Sequence, residues 1–184
     1  MSKAVILSIR PKWCEKIVNG EKTIEVRKTR PKLDTPFKCY IYCTLPKYPH
    51  EDFIATGYPR PQFYGGGKVI GEFTCGRIDR LAPANEPYGI YDIDDDYVLQ
   101  TCLENGALWD YGHGTPLYGW HISDLRIYDE SRELSEFRRA TDPCDSCHAE
   151  YTWECTGCKK LSGDIKRAPQ SWCYVEEMEE GETE

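Results

Sequence analysis

The chain has 184 residues, 40% of them hydrophobic and 29% charged, with a formal net charge of −8. That length suits one ordinary domain with a small appendage and excludes a second large one, while the charge excludes clamping of a nucleic-acid backbone by the whole surface. The longest apolar runs, such as Ala4 to Leu7, are too short to span a bilayer, and Met1-Ser2-Lys3 opens no secretory leader, so no membrane partner and a cytoplasmic setting are expected. In a reducing compartment ten cysteines are free thiols or metal ligands rather than disulfides.

Ala4 to Ile9 reads as a buried strand, stopped by Arg10-Pro11 because proline cannot donate to a ladder. Trp13 to Asn19 reads as a short helix with Trp13, Ile17 and Val18 on one side, ended by Asn19-Gly20. A second strand follows over Thr23 to Arg27. Its alternation directs Ile24 and Val26 into a core and leaves Thr23, Glu25 and Arg27 on the opposite face, with Lys22 at the turn. A carboxylate, an ammonium and a guanidinium on one face suit a polar, partly anionic ligand, unless Glu25 and Arg27 merely pair in water. The surrounding segment is basic: residues 1–38 carry ten Lys and Arg against four Asp and Glu, so a basic face sits on an acidic body.

A third strand is expected at Cys39 to Thr44. The stretch Leu45 to Gly67, rich in proline, glycine and aromatics, is a long loop, either a packed lid or a platform for stacking a base beside Arg60. Lys68 to Ile78 reads as a bent strand whose glycines mark bulges. Asp92 to Glu104 looks helical, with Asp94-Asp95-Asp96 placed to cap it rather than to bind a cation. Strands are expected at Thr115 to Ile122 and Leu125 to Tyr128. Curved, glycine-punctuated strands with few helices make a small α+β domain built around a β-barrel.

Cys144-x2-Cys147, then Cys155-x2-Cys158, is the most specific spacing in the chain. Two such knuckles close into a four-thiolate tetrahedral site, and a small loop with little core gains its fold from the metal. Structural zinc is therefore the expected cofactor, with His148 beside the second ligand and no open position for catalysis; redox and iron–sulfur uses share the spacing. The remaining cysteines, 14, 39, 43, 75, 102 and 173, lack a ligand pattern and are expected mostly in the core. His50, His113 and His121 have no nucleophile partner in sequence, and Gly65-Gly66-Gly67-Lys68 lacks the spacing of a phosphate loop.

Strand, Arg10-Pro11, helix, and then Gly20-x-Lys22-x-x-Glu25-x-Arg27 resembles the ASCH domain family, whose hallmark is a GxKxxExR motif on a PUA-like barrel. The similarity runs over roughly residues 3–128, and the ending Pro169 to Tyr174 with a cysteine knuckle is similar to longer members from bacteria and their phages. The resemblance implies a PUA-like barrel with two or three helices, placed at residues 1–140; the cysteine spacing adds a zinc-knuckle extension at 141–175, and six glutamates mark an acidic tail at 176–184. It further implies a cleft where Lys22, Glu25 and Arg27 meet a nucleotide; the binding expected there is of a base or nucleotide in single-stranded RNA, or of a modified nucleotide or nucleoside, with Arg10, Lys12 and Trp13 at the rim. Similar proteins include amidohydrolases acting on acetylated cytidine, whose lysine Lys22 matches but whose threonine is replaced here by Glu25, and ribonucleases, for which Lys22 and Glu25 are the acid–base candidates. A zinc-stabilised module that binds another protein is the third reading. The four-cysteine spacing sets a first prediction: metal analysis of the purified chain is expected to find a single zinc, released when the cysteines are alkylated under chelation, and a content far below one per chain overturns the knuckle.

Overall fold

The computed structural model describes residues 2–45, 66–84, 89–140 and 163–178. In chain order the elements are β1 (Lys3–Ile9), α1 (Pro11–Val18), β2 (Ile24–Arg27), β3 (Phe37–Cys43), β4 (Lys68–Leu81), α2 (Asp95–Thr101), α3 (Asn105–Gly112), β5 (Leu117–Arg132), a 3₁₀ turn at Leu134–Glu136, β6 (Arg138–Arg139), β7 (Gly163–Asp164) and β8 (Trp172–Glu176). All eight strands form one mixed sheet in the order β2-β5-β4-β3-β1-β8-β6-β7. Among the described residues only β1 and β3 run parallel; α1 and β2 lie in the crossover between them.

The uninterrupted apolar run of β1 explains its central position. Val5, Leu7 and Ile9 enter one core, with Cys14 and Ile17 of α1 and with Phe37 and Trp120, whose rings meet edge to face at 5.8 Å. Ala4 and Ile6 point to the other face and pack with Tyr40, Phe137, Ile165 and Val175. A strand apolar on both faces is stable only where both are covered. The helix α1 begins two residues earlier than its apolar pattern suggests, because Pro11 occupies the first turn, where a missing N–H costs nothing.

Three expectations are corrected. The sheet is not closed into a barrel: among the described residues no ladder joins the edge strands β2 and β7. Curvature comes instead from the long pair β4 and β5, whose register shifts at three places. At one of them Gly71 packs so closely on β5 that a Cβ there would stand 2.4 Å from the Arg126 carbonyl. The helix expected over Asp92 to Glu104 is two helices, broken where Cys102 takes a left-handed conformation with φ 54°. Asp94 caps the first by accepting from the Tyr97 N–H at 2.8 Å, the capping role anticipated for this acidic run. The two strands expected at 115–122 and 125–128 are one strand, which absorbs an irregularity at Asp124 (φ 48°) without leaving the sheet.

The segment 163–178 returns to the same sheet: β8 lies antiparallel against β1, with Ala4 opposite Val175 and Ile6 opposite Cys173. Residues 46–65, which cover most of the stretch expected as a long loop, and the four knuckle cysteines lie outside the described residues.

Gly119 on β5 is a packing glycine beneath Tyr97. A Cβ there would stand 1.8 Å from the Tyr97 hydroxyl oxygen and 3.0 Å from its ring carbon. Gly119→Ala is expected to destabilise the chain by about 1–3 kcal/mol through overpacking. Adding Tyr97→Phe should recover part of that loss in urea denaturation; additive losses would show that the hydroxyl is not the obstacle.

Candidate functional site

The chain between α1 and β2 is fixed by its backbone. Glu21 and Lys22 N–H groups both donate to the Lys16 carbonyl, and the Thr23 N–H donates to the Gln100 carbonyl at the end of α2. The strand β2 then pairs with β5, setting Glu25 opposite Trp120 and Arg27 opposite Tyr118. All four of its residues are buried, so an ordinary water-exposed ion pair is ruled out. Lys22 is 2% exposed, and Glu25 and Arg27 are each 6% exposed.

The three charges form one network. Glu25 sits between the cations, with Oε1 3.1 Å from Arg27 Nη2 and Oε2 3.5 Å from Lys22 Nζ. Lys22 also donates to the Thr101 carbonyl at 2.5 Å, at the C-terminal end of α2 where partial negative charge gathers. Its Nζ stands 5.1 Å from the centre of the Trp13 ring, and Lys12 Nζ stands 4.6 Å from the same ring. Burial lowers the pKa of Lys22 below the usual lysine value, against the opposing pull of Glu25.

Arg27 spends its fork on structure and keeps one donor in reserve. Nη2 donates to the Ser8 carbonyl at 2.9 Å as well as facing Glu25, and Nη1 reaches the Ser171 carbonyl and hydroxyl at 3.4 Å. Its Nε–H is buried without an acceptor among the described residues. An unpaired buried donor is costly.

These groups face a cavity of about 490 Å³, within the range of pockets that take one small ligand. The structure brings all six residues singled out in the sequence, Arg10, Lys12, Trp13, Lys22, Glu25 and Arg27, to its lining. It adds others that pattern reading misses. Leu103, Ala107 and Tyr111 come from α3 and its approach, a helix hidden by the glycines in Asn105–Gly112; Thr44 follows β3, and Pro169, Gln170 and Ser171 precede β8. Burial pushes the Tyr111 hydroxyl pKa up, partly offset by the nearby Arg27 charge, so this side chain offers a neutral O–H. Among the described residues Glu25 is the only carboxylate lining the cavity.

Other reactive groups stand apart. His121 bonds Asp79 at 2.6 Å beside Arg77, and none of the three lines the cavity. His113 terminates α3 in a left-handed conformation. Cys14, Cys39, Cys43 and Cys75 are buried and Cys102 and Cys173 half-buried; burial pushes the Cys14 and Cys39 thiols up, away from the reactive thiolate. Among the described residues no three potential metal ligands cluster.

An ASCH-domain family model matches residues 7–42, from the end of β1 through the charged motif into β3. The open mixed sheet, with the three helices among the described residues, is an ASCH-like fold. A serine-to-alanine variant of the ASCH protein from Zymomonas mobilis superposes with a TM-score of 0.55 at 17% identity, covering 94% of this chain and 88% of that one. The structure of ASCH from Zymomonas mobilis gives 0.48 at 20% identity over 71% of this chain and 73% of its own. No curated protein is a significant match. No helix among the described residues is long and apolar enough to cross a membrane.

Lys22 supplies a pH signature. With its folded pKa lowered from 10.5, the unfolded chain binds the extra proton between the two values, so stability rises with pH across that window. Urea denaturation of the parent chain and of Lys22→Met from pH 7 to 10.5 is expected to move the difference in favour of the parent as pH rises. Parallel curves would mean that the ammonium carries no burial cost.

Proposed function

We propose that the cavity binds a nucleobase-bearing ligand, RNA or a modified nucleotide, recognised by Lys22, Glu25 and Arg27. The observation that carries this reading is the buried triad with its spare donor: a carboxylate that still has lone pairs for an exocyclic amine, beside an Arg27 Nε–H awaiting a carbonyl or phosphate oxygen. Trp13, half-buried at the wall, offers a flat face for stacking, and Arg10 and Lys12 at the mouth suit a phosphate. The match of a family model to the motif segment, in a family generally associated with RNA binding or hydrolysis, supports the same reading. On this reading the four-cysteine segment is a structural zinc element and takes no part in recognition.

Hydrolysis in the same cavity is the second reading, favoured by the lowered pKa of Lys22. A lysine moved toward neutrality can accept a proton, and Glu25 at 3.5 Å can hold or return it. The absence of a second carboxylate from the described lining keeps binding ahead, because this acid–base work would fall on groups that already neutralise one another.

A screen of nucleosides, acylated cytidine and short labelled RNAs for binding and turnover separates the two. Binding without product is expected. Arg27→Ala and Lys22→Ala are each expected to weaken binding by ten-fold or more, corresponding to about 1.4 kcal/mol. Unchanged affinity in both would remove the cavity from the function. Product formation that vanishes in Glu25→Gln while binding persists would instead select the hydrolase.

A further inference from the structure

We infer that the occupant of the cavity is one unpaired base of a longer single-stranded nucleic acid, whose phosphodiester backbone lies on a basic collar outside the charged motif. The inference rests on the nucleobase reading above and adds the partner's form. Three stretches line the cavity or run into its lining: Arg10–Lys12, Lys28–Leu33, which leaves the lining residue Arg27, and Lys166–Ser171, whose last three residues belong to it. Together they hold seven of the chain's 23 Lys and Arg and no Asp or Glu, in a protein whose net charge is −8.

Their placement follows from the fold. Arg10 and Lys12 of the first stretch line the cavity directly. The second leaves the buried Arg27, and Lys28 Nζ stands 4.9 Å from the centre of the Tyr111 ring, a wall of the cavity. It is then strapped to β8: Trp172 Nε1 donates to the Thr29 hydroxyl at 3.0 Å, and the Lys32 N–H donates to the Tyr174 hydroxyl at 2.7 Å. The third runs into Pro169–Ser171, which also line the cavity, held where Ser8 donates its N–H to the Ser171 carbonyl and its hydroxyl to the Pro169 carbonyl. All seven basic side chains are exposed, and none is in an ion pair among the described residues.

A free nucleotide needs one phosphate contact, which Arg10 or Lys12 provides. Cations on three separate segments around one base-sized cavity suit phosphates on both sides of an inserted base. An acidic body with a local basic track also rejects polyanions elsewhere on its surface. The cavity admits a single ligand, so a paired base would have to leave its partner, and unpaired strands are the natural substrate.

The test compares affinities of nucleoside monophosphates, single-stranded RNA and DNA octamers, and a duplex of the same length, each across a salt series. Because the collar meets phosphodiesters, either octamer binding at least ten-fold tighter than the monophosphate supports the inference. Its log affinity should fall with log salt, and the fall should be shallower by about 2 in the triple variant Arg30→Gln/Lys32→Gln/Arg167→Gln, following about 0.7 per phosphate contact. The three residues are exposed and line no part of the cavity, so the variant should keep its melting temperature and its monophosphate affinity. Monophosphate binding with no gain for either octamer overturns the collar and leaves the nucleobase reading intact. Equal affinity for duplex and single strand overturns the inserted base. No binding of any of them, with the fold intact, overturns the nucleobase reading itself.

Discussion

Everything at the site depends on keeping three charges out of water together. A lone buried ammonium or guanidinium costs several kcal/mol, and attraction offsets that only when the partners are close and their remaining hydrogen bonds are met. Here one carboxylate serves two cations, and backbone carbonyls from Ser8, Thr101 and Ser171 take the donors that Glu25 cannot. The network is therefore built from four parts of the chain at once, and none holds its charge in place alone. Among the described residues the Nε–H of Arg27 remains unmatched, on a side chain that lines the cavity. A site that has met the cost of burying its charges before a ligand arrives has little reorganisation left to do on binding.

The topology explains how remote pieces reach one another. The strand β1 lies between β3 and β8, so the first strand of the chain and the last described strand are neighbours. Arg27 bridges the end of β1 to the segment before β8, joining positions 8, 27 and 171 through one guanidinium. On the other side α2 is tied to the motif through the Thr23 and Lys22 bonds to Gln100 and Thr101. The crossover that makes β1 and β3 parallel is the same stretch that carries the motif, which is why the motif lies at the end of β1 rather than in a hairpin.

Local chemistry and sequence spacing match well wherever a residue's role is set by its neighbours in the chain. The run Ala4–Ile9, the stop at Asn19-Gly20, the cap at Asp94 and the charged strand Ile24–Arg27 are all of this kind. Misreadings arise where partners far away decide. The helix Asn105–Gly112 has glycine at its second and last positions and a weak apolar stripe; it forms because Leu108 is buried against Val26, Tyr91 and Leu117. The single long strand Leu117–Arg132 survives Asp124 because β4 pairs with it on either side of the irregularity. Glycines in β4 suggest a curved sheet, and it is curved, but whether a curved sheet closes depends on whether its edges meet, which no local pattern encodes.

The sequence by itself determined the elements on which the motif rides, the excess of basic residues at its start, and the alternation that sets Glu25 and Arg27 on one side of a strand, because these follow from chain geometry within a few residues. Tertiary structure alone decided that Lys22, Glu25 and Arg27 are buried, that Ser8, Thr101 and Ser171 feed them carbonyls, and that Tyr111 and Pro169–Ser171 complete a cavity. Burial and hydrogen-bond partnership belong to surfaces brought together across more than a hundred residues. The same strand of charges would be ordinary surface without α2, α3 and the segment before β8 packed around it.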